Sequence, residues 1–431
     1  MGRATHWIGL ATVLAACSQG NHPSDALIDH IGDGSSEGAV DGMLNPDGMD
    51  SIGITIRRLR RWRGLSLEQL AGLSGLSKGY LSKIENERTA IDKRSTLVAI
   101  AGALRVSLSD ITGDGLEIRD PQADTAIPAI RDALLTTDLD GTEPPIGDLA
   151  QLLSETQLLA ALRQANQDAE VGARLPELLL ALHTHVDKPD ALRSLVTATH
   201  TTALLTKGLG AFELAWIAAD RGHEAALRLG EPGWIALAEF ARTQALSGLG
   251  AHKRASKLAE RALDYVPADA YDVRGALTLT TGYTESVLGG DATAALDEAA
   301  GLAEHVEYGN RNFLLFSPAN VVLWRISSAL ERGDHAEAAR LAATIDPAEL
   351  TIDSRRTTFL IEHARALYGI RRPDEDVLAL LVQAEKLGHI RTRTNPFVRE
   401  IISTMLARAR REGVAREIRG MADRMGLIKT A

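Results

Sequence analysis

A chain of 431 residues is long enough for two or three domains, each with a buried core. Apolar residues make up 45% and charged residues 24%, which is ordinary for a soluble globular protein, and the abundance of Ala, Leu and Arg favours helices. The single cysteine, Cys17, excludes an internal disulfide framework and any cysteine-based zinc site.

The net charge of −10 is unevenly distributed. Residues 51–113 carry eleven Lys and Arg against five Asp and Glu, a net charge of +6, so the rest of the chain carries about −16. A small basic module beside an acidic remainder indicates one surface suited to a polyanion and another that avoids it. Acidic helical surfaces that only aid solubility would also explain the remainder.

The first fifty residues contain a pattern typical of exported lipoproteins. An apolar run over residues 7–16 is too short to span a bilayer but suits a signal-peptide core, and it ends in the sequence LAAC at Cys17. Residues 18–50 are rich in Gly, Ser, Asp and Pro and are expected to be disordered. Small and apolar residues before a cysteine arise easily by chance in an alanine-rich chain. We therefore interpret the segment as a disordered extension, or as sequence upstream of a true start at Met43 or Met49. On this interpretation the protein is cytoplasmic and has no membrane partner.

Five short helical patterns follow between Ile52 and Ile111. The first carries five arginines, and the second opens with Ser66 and has Gln69 three residues later, which is the arrangement of a capping box. Each of the last three patterns follows a serine that suits an N-cap, at Ser77, Ser95 and Ser107. Short helices joined by brief turns predict a compact all-α domain over residues 51–113.

The stretch from Leu67 to Asn86 has small and apolar residues where a helix-turn-helix needs them. Ala71 allows the second helix to cross closely over the first, and Gly75 lies in the turn, where a positive φ is expected. The inner faces of the two helices are formed by Leu70, Leu76, Leu81 and Ile84.

On these residues and on the sequence LSKGYLSKIENER (76–88), residues 52–112 resemble the lambda-repressor/Cro-like (XRE) helix-turn-helix family. The resemblance implies that the helix beginning at Ser77 enters the major groove of double-stranded DNA, where Lys78 and Lys83 face base edges while Ser66 and Arg88 reach phosphates. The DNA-binding residues that it implies are Ser66, Ser77, Lys78, Gly79, Tyr80, Ser82, Lys83 and Arg88.

The resemblance further implies a buried ion pair, Arg60 with Glu85, that ties the first helix to the recognition helix. Two residues depart from the family pattern: Leu67 stands where many members have a phosphate-contacting glutamine, and Glu87 replaces a common glycine and adds negative charge near DNA. Tyr80 suits a packing or backbone contact better than base reading. The arginines at positions 57, 58, 60, 61 and 63 either contact phosphates or form a solvated helix face.

The rest of the chain repeats one plan, in which an apolar helix, a glycine turn and an alanine-rich helix follow one another. The glycines at 210, 250, 290 and 333 are 40, 40 and 43 residues apart, which is longer than the roughly 34 residues of a strict tetratricopeptide (TPR) repeat. One helical hairpin cannot cover its own apolar face, so such units stack into a superhelix. We therefore predict a connector over residues 114–145 and a TPR-like domain over 146–428. The predicted fold is all-α, a five-helix lambda-repressor-like head followed by a TPR-like α-solenoid.

The segments AFELAWIAADRG (211–222) and FSPANVVLWRIS (316–327), taken with the head, are similar to regulators of high-GC Gram-positive bacteria that combine an XRE head with a TPR-like tail. They are also similar to peptide-pheromone regulators, whose repeat domains dimerise and bind a peptide on the concave face. This resemblance implies a homodimer with a peptide or small-molecule effector. The candidate effector-binding residues are Arg311, Asn312, Phe316, Asn320 and Trp324, with Trp216 and Arg325 as further ligand-facing candidates. The aromatic ones suit the filling of gaps between repeats at least as well.

Enzyme motifs are absent from the sequence, including a phosphate-binding loop, a Rossmann glycine pattern and a helical metalloprotease motif. We therefore expect no catalysis and no cofactor. His183 and His185 are two positions apart and cannot share a helix face, so we also expect no metal site. The sequence predicts a dimeric transcriptional regulator that binds an inverted-repeat operator. The main alternative is a TPR-like adaptor that binds proteins and whose head does not act on DNA. A third interpretation, an exported lipoprotein, requires a function for the head outside the cell.

Overall fold

The computed structural model describes residues 51–112, 121–140, 144–306, 314–408 and 412–428. Within these ranges the chain forms α-helices, one short 3-10 helix (Pro347–Glu349) and no strand, which confirms the predicted all-α class. The predicted N-terminal extension with Cys17, and the candidate residues Arg311 and Asn312, lie outside the described residues. None of the helices within the described ranges combines the length and apolar character needed to cross a membrane.

The first five helices form a head, residues 51–112, whose hydrophobic core also contains Phe397 from the body. The predicted capping box is present: the N–H of Gln69 donates to Ser66 Oγ at 3.1 Å, and the N–H of Ser66 donates to Gln69 Oε1 at 2.7 Å. Gly75 ends the second helix in the left-handed region, with φ of 70°. The head helices are α1 (Ile52–Trp62), α2 (Leu67–Ser74), α3 (Lys78–Glu85), α4 (Arg94–Leu104) and α5 (Leu108–Thr112).

The remaining helices form the body, residues 121–428. The body helices are α6 (Pro121–Thr136), α7 (Leu149–Gln164), α8 (Asp168–His183), α9 (Pro189–Gly208), α10 (Phe212–Leu229), α11 (Pro232–Gly248), α12 (His252–Leu263), α13 (Tyr271–Leu288), α14 (Thr293–Ala303), α15 (Pro318–Arg332), α16 (His335–Ala342), α17 (Asp353–Gly369), α18 (Asp374–Leu387), α19 (His389–Thr394), α20 (Pro396–Arg408) and α21 (Glu412–Arg424).

Helix α4 begins earlier than the sequence indicated. Its N-cap is Lys93, so Ser95 is the second residue inside the helix instead of its cap. The first turn is anchored by the body, because the N–H of Arg94 donates to Glu331 Oε2 at 2.9 Å. A local sequence pattern cannot predict this contact, because Glu331 lies 237 positions from Arg94 in the chain.

The segment expected to be a connector contains α6, which packs on α8. Ile127, Ile130 and Leu134 of α6 are buried in the same core as α8, α9 and α10. Pro128 lies inside this helix. Its presence argued against a helix in the sequence, since proline removes a backbone donor and usually ends a helix.

The body helices from α9 to α18 form consecutive antiparallel pairs, and the first helices of the pairs (α9, α11, α13, α15 and α17) contact one another in that order. This stacking confirms the predicted TPR-like solenoid. Three of the predicted glycine turns, at Gly210, Gly250 and Gly333, have φ of 81°, 75° and 80°. The fourth left-handed turn lies at Gly289 and not at Gly290, because α13 ends one residue earlier.

The solenoid curves until its two ends meet. Helix α17 contacts α7, and α19 contacts α9. Asn166 Nδ2 donates to Thr357 Oγ1 at 3.1 Å and to the carbonyl of Leu387 at 3.0 Å, and Thr394 Oγ1 donates to the carbonyl of Gly208 at 3.1 Å. The first helices of the pairs therefore enclose a central space, and the head packs over it.

Candidate nucleic-acid interface and central cavity

Helix α3 is held in the head by its apolar face. Leu81 and Ile84 are fully buried, and Gly53 lets α1 cross α3 closely, since a Cβ at Gly53 would lie 2.2 Å from the carbonyl oxygen of Ile84. This packing fixes the rotation of α3 about its axis. As a result Lys78 and Lys83 face solvent.

A bidentate ion pair joins α1 to α3. Arg60 Nε donates to Glu85 Oε1 at 2.6 Å, and Nη2 donates to Oε2 at 2.7 Å. Arg60 Nη1 also donates to the carbonyl of Leu65 at 2.8 Å. The hydrogen bond to buried Glu85 raises the pKa of Arg60 above its ordinary value. Arg60 and Glu85, which the family resemblance paired, thus form the implied ion pair.

Two serines of the predicted DNA-binding set, Ser66 and Ser77, are the N-caps of α2 and α3. Ser66 Oγ and Ser77 Oγ each accept a backbone N–H of their own helix, at 3.1 Å in both cases, so each hydroxyl retains its proton to donate. Lys78 pairs with Glu68 in an exposed ion pair, which a phosphate could displace because such pairs are weak. The exposed members of the predicted set are Ser66, Ser77, Lys78, Gly79, Lys83 and Arg88, while Ser82 is partly exposed.

Tyr80 of the predicted set, and Glu87, which departs from the family pattern, differ from these exposed residues. Tyr80 packs against the head core and its hydroxyl bonds Thr96; burial raises the pKa of the Tyr80 hydroxyl to about 12. It is therefore a packing residue. Glu87 has φ of 55° and accepts a hydrogen bond from Ser403 Oγ of α20 at 3.2 Å. The negative charge expected beside DNA is instead directed towards the body.

Arg60 and Arg63, two of the arginines at positions 57, 58, 60, 61 and 63, bond other parts of the head. Arg60 forms the ion pair above. Arg63 caps the C-terminus of α4, where Nε donates to the carbonyl of Leu104 and Nη2 to that of Arg105, both at 3.0 Å. Arg58 and Arg61 are exposed and Arg57 is partly buried. Fewer of these five arginines than the sequence indicated are therefore available to solvent or to phosphates.

A cavity of about 370 Å³ lies between the body and the head. Helices α4 and α5 of the head form one wall of the cavity, to which they contribute Leu97 and Leu108. The other walls come from α7, α9, α10, α11, α13, α15, α17, α19 and α20 of the body. Their apolar contributions include Leu204, Phe212, Phe240, Leu323, Trp324 and Phe397.

Positively charged side chains outnumber negatively charged ones in the wall of this cavity. Six basic side chains and two carboxylates of the described chain line it. Glu362 pairs with Arg365 at 2.6 Å, and Asp168, just outside, lies 3.4 Å from Arg163. Within the described ranges, no carboxylate forms an ion pair with the cationic cluster, which we define as Lys207, Arg355 and Arg391.

Burial and mutual repulsion act on the cationic cluster. Burial, with the nearby charges of Arg94, Arg391, Arg355 and Arg163, lowers the pKa of Lys207 to about 7. Burial likewise lowers the pKa of Arg355 to about 10 and that of Arg391 to about 9, and Arg163 adds to the shift in both cases, while Asp168 opposes it at Arg391. The cavity therefore has a strong positive potential.

Only one of the predicted effector-binding residues that the structure describes lines this cavity. Trp324 does so, with its ring edge-on to Tyr283 at 5.6 Å. Phe316 is buried against Gly275, where a Cβ would lie 1.9 Å from the ring, and so it fills a gap between helices. Asn320 is also buried, and its Nδ2 donates to the carbonyl of Leu315 at 2.6 Å.

The two further ligand-facing candidates also have protein partners. Trp216 is flanked by the guanidinium groups of Arg242 and Arg254, each about 5 Å from its ring centre. Arg325 Nη2 pairs with Asp297 Oδ1 at 2.6 Å. Both contacts lie within the repeat packing, which matches the gap-filling interpretation for Trp216.

The residues that the sequence did not indicate are those of the cationic cluster. They lie on α9, α17 and α19 and meet only because the solenoid closes, so no local motif marks them. His183 and His185 each bond a backbone carbonyl, of Leu179 and Ile146 respectively. Across the described residues, no group of three His, Cys, Asp or Glu side chains could hold a metal ion.

Comparison with known proteins concerns mainly the head. Residues 51–111 match a family model described as a helix-turn-helix domain. The chain is 39% identical over 74 residues to the immunity repressor protein of Bacillus phage phi105, covering 17% of this chain and 51% of the relative. It is 40% identical over 58 residues to the HTH-type transcriptional repressor RghR of Bacillus subtilis, covering 14% and 43%. The chain spans about half the length of these curated relatives.

Among solved structures, the apo form of the competence regulator ComR from Streptococcus vestibularis is similar with a TM-score of 0.21 and 16% identity, over 68% of this chain and 98% of that one. The matches to the head confirm its resemblance to helix-turn-helix regulators, and residues 51–111 are a helix-turn-helix domain.

Proposed function

We propose that the protein is a sequence-specific, DNA-binding transcriptional regulator of the cytoplasm, which acts as a dimer and responds to an effector bound by the body. The observation that carries the proposal is the orientation of α3. Its apolar face and Glu85 are fixed in the head, whereas Lys78, Gly79 and Lys83 face outward. The relatives of the head are named repressors, which supports this role.

In this proposal α3 enters the major groove with its N-terminal half. Lys83 and Lys78 donate to guanine O6 and N7, while the hydroxyls of Ser66 and Ser77 and the guanidinium of Arg88 contact phosphates on either side. The free backbone N–H groups at the starts of α2 and α3 add to phosphate binding. The net charge of +6 on residues 51–113 supplies the long-range attraction.

The dimer and the effector complete the proposal. Two heads related by a two-fold axis would place two copies of α3 in successive major grooves of an inverted repeat. An effector in the central cavity would touch both the body and α4 and α5, so its binding would change how the head is held. The cavity volume of about 370 Å³ is in the range of small-molecule sites.

The primary test is to sequence the genomic fragments that the full-length protein retains, with and without cell extract. We expect a short inverted repeat to be enriched, and the retained set to change when extract supplies the effector. Retention of no fragment at low salt would contradict the proposal and favour the protein-binding adaptor. Analytical ultracentrifugation of the complex checks the expected ratio of two chains to one site.

Lys83→Ala tests the recognition helix. If Lys83 reads a base, the substitution weakens binding to the enriched site by about 1–3 kcal/mol and relaxes sequence preference at one position. The matched control is Lys253→Ala, an exposed lysine on α12 of the body, which should leave binding unchanged. Fluorescence anisotropy at several salt concentrations measures both. Equal affinities and equal sequence preferences for Lys83→Ala and the control would exclude base reading by Lys83.

A further inference from the structure

We propose that the central cavity binds an organic carboxylate with an apolar remainder, and that Lys207, Arg355 and Arg391 hold its carboxylate group. The inference rests on the proposed function, because it specifies the chemistry of the effector. It places the effector in the cavity beneath the head, where Trp324 lines the wall but Phe316 and Asn320 do not.

The hydrogen bonds of the cationic cluster leave it unneutralised. Arg355 Nη2 donates to the carbonyl of Leu314 at 3.1 Å, and Arg391 Nη1 donates to Thr358 Oγ1 at 3.2 Å. Lys207 Nζ donates to Gln244 Oε1 at 3.4 Å. All three acceptors are neutral. The buried Nε atoms of Arg355 and Arg391 have no protein acceptor in the described part of the chain.

Buried cations without counter-charges are unfavourable, since desolvation and mutual repulsion both disfavour the charged forms. Arg163 and Arg94 also border the cavity and add positive charge. Asp168, which pairs with Arg163, offsets part of this charge at Arg391. The carboxylates at the cavity are engaged elsewhere, Glu362 with Arg365 and Glu331 with the backbone of Arg94. An anion that enters the cavity would relieve the repulsion and use the unsatisfied N–H donors.

The apolar walls of the cavity indicate that the part of the ligand beyond its carboxylate is apolar. Phe240, Leu323, Trp324 and Phe397 present aromatic and aliphatic surface to the same space as the cationic cluster. A bare inorganic anion would gain nothing from these walls. A molecule with one acidic end and a flat apolar body would use both, in the pattern of sites that combine apolar walls with a few charged groups.

A structural role for the cluster and a ligand-binding role predict opposite effects of substitution on stability. If the cations only supply structural hydrogen bonds, Lys207→Met removes a bond and lowers the melting temperature. If they form an anion site, the same substitution removes an uncompensated buried charge and raises the melting temperature measured without ligand at pH 6, below the Lys207 pKa of about 7. Arg391→Met is the second variant, and Lys253→Met on the body surface is the control.

The experiment measures melting temperature and calorimetric binding of the full-length chain with four pairs of probes. Each pair contains a carboxylate and its uncharged amide: 2-naphthoate, indole-3-acetate, and the N-acetylated dipeptides Leu-Phe and Phe-Leu against their C-terminal amides. We expect at least one carboxylate to raise the melting temperature while its amide does not. We expect its affinity to fall at least tenfold in Lys207→Met and in Arg391→Met but not in Lys253→Met.

The probe pairs distinguish a free organic acid from the C-terminal carboxylate of a peptide, depending on which carboxylates bind. The proposal is overturned if no carboxylate binds better than its amide, or if binding is unchanged in both cluster variants. Fragment retention by the unmodified protein is measured separately. Retention without carboxylate binding would reject the acidic-ligand site alone, and carboxylate binding without retention would reject the regulator function alone.

Discussion

Glu400 is a buried carboxyl group where the head meets the body. Its side chain is 2% exposed, accepts the backbone N–H of Ile91 and lies near the carboxylate of Glu87. Burial, and then the negative charge of Glu87, raise the pKa of Glu400 to about 8. The group is therefore largely protonated in the folded protein at neutral pH.

This pKa predicts a pH-dependent contribution to stability. Because the folded pKa is higher than the ordinary value of 4.5, the contribution is complete below pH 4.5 and is lost as pH rises through about 8. Glu400→Gln keeps a neutral side chain at every pH. We expect the variant to match the parent protein near pH 4 and to exceed its free energy of unfolding by up to about 5 kcal/mol at pH 9. Urea unfolding of both proteins at the two pH values measures the difference, and a difference independent of pH would contradict the assignment.

At the scale of single residues, sequence prediction succeeded where the cause is local. Ser66, Gln69 and Gly75 act on backbone atoms within a few positions, so their roles can be read from spacing. The Arg60–Glu85 pair was named only through family resemblance. Lys207 and Arg391 lie 184 positions apart in the chain and lack any shared motif, so only the closed fold reveals that they face one cavity.

The crossing of α1 and α3 depends on a single glycine. A Cβ at Gly53 would collide with the carbonyl of Ile84, and that carbonyl belongs to the helix that carries Lys83. We expect Gly53→Ala to destabilise the head by about 2 kcal/mol or more and to weaken DNA binding, because α3 must shift away from α1.

The matched control for this prediction is Gly72→Ala. Gly72 is also inside a head helix, but a Cβ there meets nothing within 4 Å. We expect this variant to be more stable by up to about 1 kcal/mol, since alanine has the higher helix propensity. Thermal unfolding monitored by circular dichroism compares the two, and equal effects of both substitutions would show that the crossing is not tight.

Element boundaries were predicted correctly where the sequence itself supplies the cap, as at Ser66 and Ser77. They were missed where another part of the fold supplies it, as at the start of α4, which Glu331 stabilises. Helix α6 was missed because its internal proline contradicts local propensity, while the burial of Ile130 and Leu134 favours the helix. Tertiary packing overrides propensity in both cases.

The head and the body are joined by a shared core and by polar contacts. Phe397 of α20 is buried in the hydrophobic core of the head, and the guanidinium of Arg365 lies 3.9 Å from the centre of its ring. His335 Nε2 and Asp92 Oδ2 lie 2.9 Å apart across the same contact. The structure of the head therefore depends on a residue near the other end of the chain.

Phe397→Ala tests this dependence. Removing a buried phenylalanine costs about 3–5 kcal/mol, and here we expect the loss to appear in the head, although the residue belongs to the body. Hydrogen exchange should accelerate in α1 to α5. Phe359→Ala, in the core formed by α15 to α21, is the control that should accelerate exchange only in the body. Unchanged exchange in the head of the Phe397 variant would show that the two cores are independent.

The closure of the solenoid by Asn166 has a consequence for folding kinetics. An open solenoid can grow by adding neighbouring repeats, so its contacts stay local and its terminal repeats need polar caps. Here the first and last repeats cover each other, and the bond from Asn166 to Thr357 joins residues 191 positions apart. Such a contact carries a large loop entropy and raises the contact order, which slows folding. The cavity and its three cations would therefore be assembled in the last step, after most of the helix pairs have formed.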